Sequence, residues 1–369
     1  MLTGIRQFGS YPAEDVIFLL KDLSSLSIET DTGQRERAIQ SGTHYSEMLP
    51  VEYQPSQEYM ELYKTSLQQS KQKVAIAVGV VAEQILQRRG ENLVLVSLAR
   101  AGTPVGVLIR RYLKQTYNLE LPHYSISILR GRGIDENALR YIYKKHQESS
   151  IVFIDGWTGK GAITKELTKS IKVFNEKYNA TLSDELAVLA DPGHCSTLYG
   201  TREDFLIPSA CLNSTISGLV SRTVMNPKWI DKGDFHGAKY YKELENQDVS
   251  LHYVDTIASI FNEVTNKITA RLNSIKEEDI TPTWEGMSSI HRIQDHFNIE
   301  TINLIKPGIG ETTRVLLRRI PWKILVQSKD NAQLDHILYL ANEKGVPVEE
   351  YQQMSYTCCG IIQSLEKIE

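Results

Sequence analysis

The sequence predicts an α/β fold, a mostly parallel sheet with helices on both faces, followed by a smaller α/β unit of its own. Three observations carry this. LVLVSL (93–98), IVFI (151–154) and LAVLA (186–190) are short continuous apolar runs, the pattern of strands buried on both faces. Apolar residues between them recur at helical spacing. Past residue 300 the strand–helix alternation starts again.

In order along the chain, residues 1–72 show no clear period and read as an elaboration packed on the first domain. VIFLL, with Leu23 and Leu26, has the composition of a short helix, and GTHYSEMLPVEYQPS is loop-like. Val74, Ala77, Val78, Val81 and Ile85 share one helix face. LVLVSL follows as a strand. Gly102 and Pro104 break it, and Val105, Leu108 and Leu113 mark the next helix. YSISIL (124–129) alternates as a strand and IVFI is the next. Ile163, Leu167, Ile171 and Phe174 line a helix, then LAVLA and FLI (205–207) read as strands. This gives a domain over 73–230.

Residues 231–298 read as a helical and linker region. Val254, Ile257, Ala258, Phe261, Val264 and Ile268 predict one long amphipathic helix. EEDITPTWEGMSS carries linker punctuation in Pro282 and Gly286. The last unit, 299–369, reads as INLI strand, ETTRVLLRRI helix, KILVQ strand and AQLDHILYLANEKG helix ending on Gly345.

At 369 residues the chain exceeds one ordinary core. Its 23% charged residues and mean hydropathy of −0.28 suit a soluble globular protein. A net charge of −4 gives no overall pull toward nucleic acid, so such a partner needs a local patch. No apolar stretch approaches a membrane span. No membrane partner and a cytoplasmic location are therefore expected, and a homo-oligomer is compatible with the chain. Cys195, Cys211, Cys358 and Cys359 form no C-x-x-C and no zinc spacing, so free thiols are expected.

The turn SSIVFIDGWTGKGAITKEL (149–167) carries the most chemistry. A buried strand delivers Asp155. Gly156, Gly159 and Gly161 allow close approach of the backbone, Thr158, Lys160 and Thr164 add polar groups, and a helix opens near Ala162 with its N–H groups unpaired. This suits a phosphate beside a carboxylate, or else a plain glycine-rich strand-to-helix connection that holds no ligand. It is neither a P-loop nor a Rossmann turn, because the glycine spacing differs. LVLVSLARAGTPVG (93–106) repeats the plan, with Arg100 after a strand and Gly102 before a helix.

Two anion-suited turns on one sheet resemble the type I phosphoribosyltransferases over roughly 74–207. The resemblance implies that phosphoribosyl pyrophosphate is the ligand, with Mg²⁺ on its pyrophosphate. Asp155 would grip the ribose. Thr158, Gly159, Lys160, Gly161, Ala162 and Thr164 would hold the 5-phosphate, and Arg100, Ala101 and Gly102 the pyrophosphate. Arg130 and Arg132, flanking Gly131, either close on the leaving group as catalytic residues with Asp155, or form a solvated basic turn before a helix. The implied activity is transfer of ribose 5-phosphate to an unidentified nucleophile. Where that family carries two adjacent acids, this chain has Gly156 in second place, which keeps open a non-catalytic sensor of a phosphosugar or nucleotide.

The whole chain also resembles a bacterial stress-linked family that carries the label cysteine protease StiP and is associated with tellurite resistance. THYSEMLPVEY (43–53) fits its N-terminal region. A cysteine peptidase is accordingly the alternative. The residues themselves add little to it, since His194 and Cys195 are adjacent and in an extended segment point apart.

In the last unit, residues 306–329 hold six basic residues and one acid, while 330–369 hold two basic and seven acidic. Arg314 and Arg318 share a helix face, with Val315, Leu316 and Ile320 free to turn inward. The segment 312–362 resembles the RNA-binding fold of the ribosomal protein L7Ae and Pelota. That implies structured RNA as partner, met by Lys306, Arg314, Arg318, Arg319 and Lys323 and by a glycine-bearing helix start at Gly360.

Overall fold

The computed structural model describes residues 7–52 and 54–364, with only the backbone at Thr32, Glu36, Gln40, Glu58 and Arg318. Tyr53, at the end of the THYSEMLPVEY stretch, therefore lies outside the described residues. The chain begins with β1 (Ile17–Phe18), β2 (Lys21–Asp22), β3 (Glu29–Thr30), α1 (Thr32–Gln40) and β4 (Leu49–Pro50). There follow α2 (Gln57–Arg89), β5 (Leu93–Ala99), α3 (Gly102–Tyr117), β6 (His123–Leu129), β7 (Gly133–Ile134) and α4 (Glu136–Lys145). Next come β8 (Ser150–Trp157), α5 (Ala162–Tyr178), β9 (Leu186–Ala190) and β10 (Leu198–Thr201).

The central sheet runs β1-β6-β5-β8-β9-β10, every neighbour parallel, with β7 antiparallel on β6. The mostly parallel α/β fold expected from the sequence is thus what forms. The chain moves from β5 to β6 on one side and then returns to β8 on the other. The connections reverse direction between β5 and β8, where open parallel sheets place their ligand crevice.

Helix α2 starts where the Ser56 hydroxyl accepts from the Tyr59 N–H (3.3 Å), and stops at Gly90 with φ 74°. Its stripe from Val74 to Ile85 is fully buried against the sheet. Each such aliphatic side chain contributes about 1.5–3 kcal/mol by leaving water.

Three local expectations for the first 298 residues fail. VIFLL is not helical: Ile17 and Phe18 pair with Tyr124 and Ser125, because an apolar run beside an unpaired sheet edge extends that sheet. FLI is not a strand: Phe205 and Ile207 are buried, but the chain turns there so that Asp204 can reach the second unit. The expected long helix is broken. After β11 (Gly237–Ala238), α6 (Ser250–Ala258) and α7 (Thr265–Glu277) are separated by a tight turn. Ile260 and Val264, at φ −108° and −104°, leave helical geometry there. The break keeps Val254, Ile257, Phe261, Val264 and Ile268 all buried in the first core.

The second unit comprises α8 (Glu285–Phe297), β12 (Ile305–Pro307), α9 (Ile309–Arg318), β13 (Pro321–Val326), α10 (Asp335–Glu343), β14 (Val348–Glu350) and β15 (Cys358–Ile362). Its sheet runs β12-β15-β13-β14, with β15 antiparallel to both neighbours. TCCGII, expected as a helix start, is instead this buried central strand, as its continuous apolar character suits. Ile320, expected inward, is 57% exposed, since it lies beyond the end of α9.

One carboxylate joins the units. Asp204 accepts from the Ile309 N–H (3.1 Å) at the start of α9 and from the Thr357 N–H (2.9 Å), and its own carbonyl accepts from the Thr357 hydroxyl (3.1 Å). Gly308, the residue before α9, offers no side-chain cap, so Asp204 caps that helix from another domain. Burial pushes the Asp204 carboxyl up to about 6. Asp204→Ala should cost about 2–3 kcal/mol, the range for hydrogen bonds to a charged group plus two stranded donors. Chemical denaturation would show it, with unfolding of α8–β15 separating from that of the first domain.

Candidate functional site

The two strand-to-helix turns at the β5/β8 crevice lie against each other. A Cβ at Gly102 would fall 2.4 Å from the Ile154 carbonyl, so only glycine lets the first turn pack on β8. Above them the second unit closes a cleft of two adjoining compartments, of about 660 and 980 Å³. Both are lined by Trp157 at the end of β8, by Arg35 and Arg222 of the first domain, and by Lys306, Arg314 and Arg319 of the second. Arg100 borders the smaller compartment, Arg130 and Lys160 the larger.

Carboxylates are fewer, and two are engaged. Glu311 pairs with Arg314 (2.7 Å), and Glu52 accepts from the Ser214 hydroxyl and N–H while lying 3.7 Å from Arg100. Arg222 is pushed down to about 10 by burial and by Arg35, and Arg100 is lowered by burial. Arg222 and Arg130 both lie over the Tyr45 ring, at 4.6 and 5.8 Å. So dense a set of like charges gives the cleft a local positive field that favours anions.

The glycine turn after Asp155 uses its polar groups differently. The Thr158 hydroxyl donates to Asp191, the Lys160 ammonium to the Ile302 carbonyl, and the Gly159 carbonyl accepts from the Tyr356 hydroxyl (2.9 Å). Burial, with Lys306 repelling, lowers Lys160 to about 7. The turn is thus fastened to the second unit rather than left open. Gly161, at φ 70°, and Ala162 open α5 with no side-chain cap, and the Thr164 hydroxyl is buried there without a partner.

Behind this turn lies Cys195. A Cβ at Gly161 would sit 2.8 Å from its sulfur, which contacts the Gly193 carbonyl at 3.2 Å and the Gly159 carbonyl at 4.0 Å. Asp191 fixes the segment by accepting from the Cys195 and Ser196 N–H groups. Burial and Asp191 push the thiol up to about 12, against Lys165 and Arg202. His194 turns away: its Nδ1 accepts from Arg202 (3.2 Å). Cys211, Cys359 and Cys358 each belong to a hydrophobic cluster, whereas Cys195 belongs to none of the four.

The other residues singled out from the sequence scatter. Arg132 bonds the Met225 carbonyl and Glu47. Lys323 pairs with Glu349 (2.5 Å) and lies over Phe297. Gly360 is buried in β15, where a Cβ would meet Val315 of α9 at 3.1 Å. The Arg318 side chain lies outside the described residues. Arg35, Arg222 and Tyr45 were not singled out, because single residues in irregular sequence carry no period or motif.

Comparison with known proteins follows this geometry. The family described as tellurite-like stress resistance cysteine protease StiP matches residues 9–258, and the PELOTA RNA binding domain matches 284–364. A relative from Acinetobacter baylyi named "Cysteine protease StiP" is 36% identical over 373 residues, covering 97% of this chain and 95% of its own. These findings overturn the expectation of a phosphoribosyltransferase acting on phosphoribosyl pyrophosphate. The physical reason is visible in the turn, whose threonine, lysine and glycine carbonyl are committed to holding the protein together. No helix among the described residues is long and apolar enough to cross a membrane.

Asp155 lines the larger compartment, and its Oδ1 accepts from the Gly156 N–H (2.7 Å). Burial raises it to about 7. Between its ordinary value and 7 the folded protein holds a proton that the unfolded chain has lost, so this group lowers stability as pH rises through that window. Asp155→Asn should therefore leave stability at pH 4 nearly unchanged and raise it at pH 8. The gain should be on the order of 1 kcal/mol or more, a Tm increase of about 2–4 °C. Thermal unfolding of both proteins across pH 4–8 checks it.

Proposed function

The chain belongs to the family described as tellurite-like stress resistance cysteine protease StiP, and on that footing we propose that it is a thiol peptidase of stress resistance that binds RNA through its C-terminal Pelota domain. The observation that carries the peptidase reading is the position of Cys195. Its sulfur lies beside Gly161, at the uncapped N-terminus of the 17-residue helix α5. Helix N-termini and neighbouring cations lower a thiol's pKa, and Lys165 supplies such a cation.

In the resting conformation the glycine turn covers the sulfur, and burial outweighs that support. Displacement of the turn by the bound peptide exposes the sulfur while leaving the helix end and Lys165 in place. The thiolate then adds to the scissile carbonyl. A carbon–sulfur bond forms, the carbon–nitrogen bond breaks, and the proton given up by the thiol leaves with the amine. Water hydrolyses the thioester and regenerates the thiol.

Cys195→Ala should reduce cleavage of a fluorogenic peptide library by at least about 100-fold, while Cys211→Ala and Cys358→Ala, if folded, keep the wild-type rate. Wild-type activity should rise from pH 6 to 9 as the thiol ionises. Full activity in Cys195→Ala would overturn the assignment, and a wild-type protein inert on every peptide would overturn the peptidase reading itself.

A further inference from the structure

We propose that a single-stranded RNA segment runs through the cleft between the two units, with its phosphates held from both walls and its bases against Trp157 and Tyr45. This deepens the RNA-binding reading and rests on it. That reading places the RNA on the C-terminal domain; the cleft places part of the binding charge on the first domain.

Arg35 and Arg222 line both compartments from the first domain, facing Lys306, Arg314 and Arg319 of the second. Guanidinium groups present forked donors that match phosphate oxygens, and cations spread along both walls suit a chain of phosphates better than a single one, with Arg314 also holding Glu311. Two adjoining compartments of about 660 and 980 Å³ together exceed what one mononucleotide fills. Trp157 stands between them, lining both, and Tyr45 borders the larger. Aromatic faces interleaved with cations are the platform on which successive unpaired bases stack.

Double-stranded RNA is a poorer fit, because its phosphates lie on the outside of a rigid rod and offer no base face to Trp157. An acidic peptide would satisfy the charge but would leave the Trp157 ring without a flat partner. Gly360 and Lys323 do not line the cleft.

The test uses the full-length protein and fluorescein-labelled oligouridylate and oligoadenylate of about ten nucleotides. Dissociation constants are measured by anisotropy from 50 to 300 mM KCl. Arg222→Ala and Arg35→Ala, both in the first domain, should weaken binding about tenfold each, as should Arg314→Ala in the second. Each should flatten the plot of log K against log salt by about 0.7, the loss of one phosphate contact on a single strand. Trp157→Leu should weaken binding about tenfold without changing the slope, since stacking releases no counterions.

To guard against misfolded variants, 4-thiouridine-containing RNA is photo-crosslinked to the wild-type protein, and adducts should appear on peptides holding Trp157 or Tyr45. Binding lost with Arg314→Ala but untouched by Arg35→Ala and Arg222→Ala, with crosslinks only in residues 284–364, would overturn the cleft and leave the RNA-binding reading intact. No binding of any RNA by the wild type would overturn both. Displacement of the RNA by an equal concentration of oligoglutamate would overturn the assignment of the cleft to nucleic acid.

Discussion

A single buried carboxylate determines where the functional surfaces of this protein lie. Asp204 leaves the edge of the first sheet and caps a helix belonging to the second unit. A helix end is short of acceptors for its first N–H groups, and supplying one from another domain fixes position and orientation together. With that contact in place, the basic side of α9 faces the crevice between β5 and β8. The cleft is lined by residues of both units, so its shape follows from how the two are held. The contacts from Tyr356 to Gly159 and from Lys160 to Ile302 then close the seam on either side.

The same seam changes what the glycine-rich turn is for. Glycines, a threonine and a lysine after a buried strand have the composition of a phosphate cradle. Here Gly159 and Gly161 let a second domain approach and the lysine secures it, while Gly156 and the threonine pack and bond within the first domain. Composition cannot separate these uses, because both need backbone in close contact with a polar partner. What separates them is a partner nearly 200 residues later in the chain, Tyr356, whose hydroxyl carries no local sequence signal.

Much of the fold was legible because period and continuity are local. The runs at 93–98, 151–154 and 186–190 are strands, and the stripes beginning at Val74 and Ile163 are helices, as buried faces require. The failures share one cause, which is tertiary context. VIFLL became an edge strand because β6 had an open side. The 254–268 stripe became two helices because it must follow α2 and α3, and TCCGII became a strand between two others. At the site, Asp155, Arg100, Lys306 and Arg314 were visible through their place after strands or on a helix. Arg35, Arg222 and Asp204 were not, since what makes them matter is a neighbour distant in sequence.

The segment Gly159–Gly161 is one strand of backbone thick. The cleft touches one side and the Cys195 sulfur the other. A partition that thin cannot keep two ligands in separate accounts of space. Whatever moves it from the cleft side alters the room and the field around the sulfur, and by thermodynamic reciprocity modification of the sulfur must change affinity in the cleft by the same factor. Two glycines and a lysine whose side chain turns into the second unit thus leave little but backbone between the cleft and the sulfur.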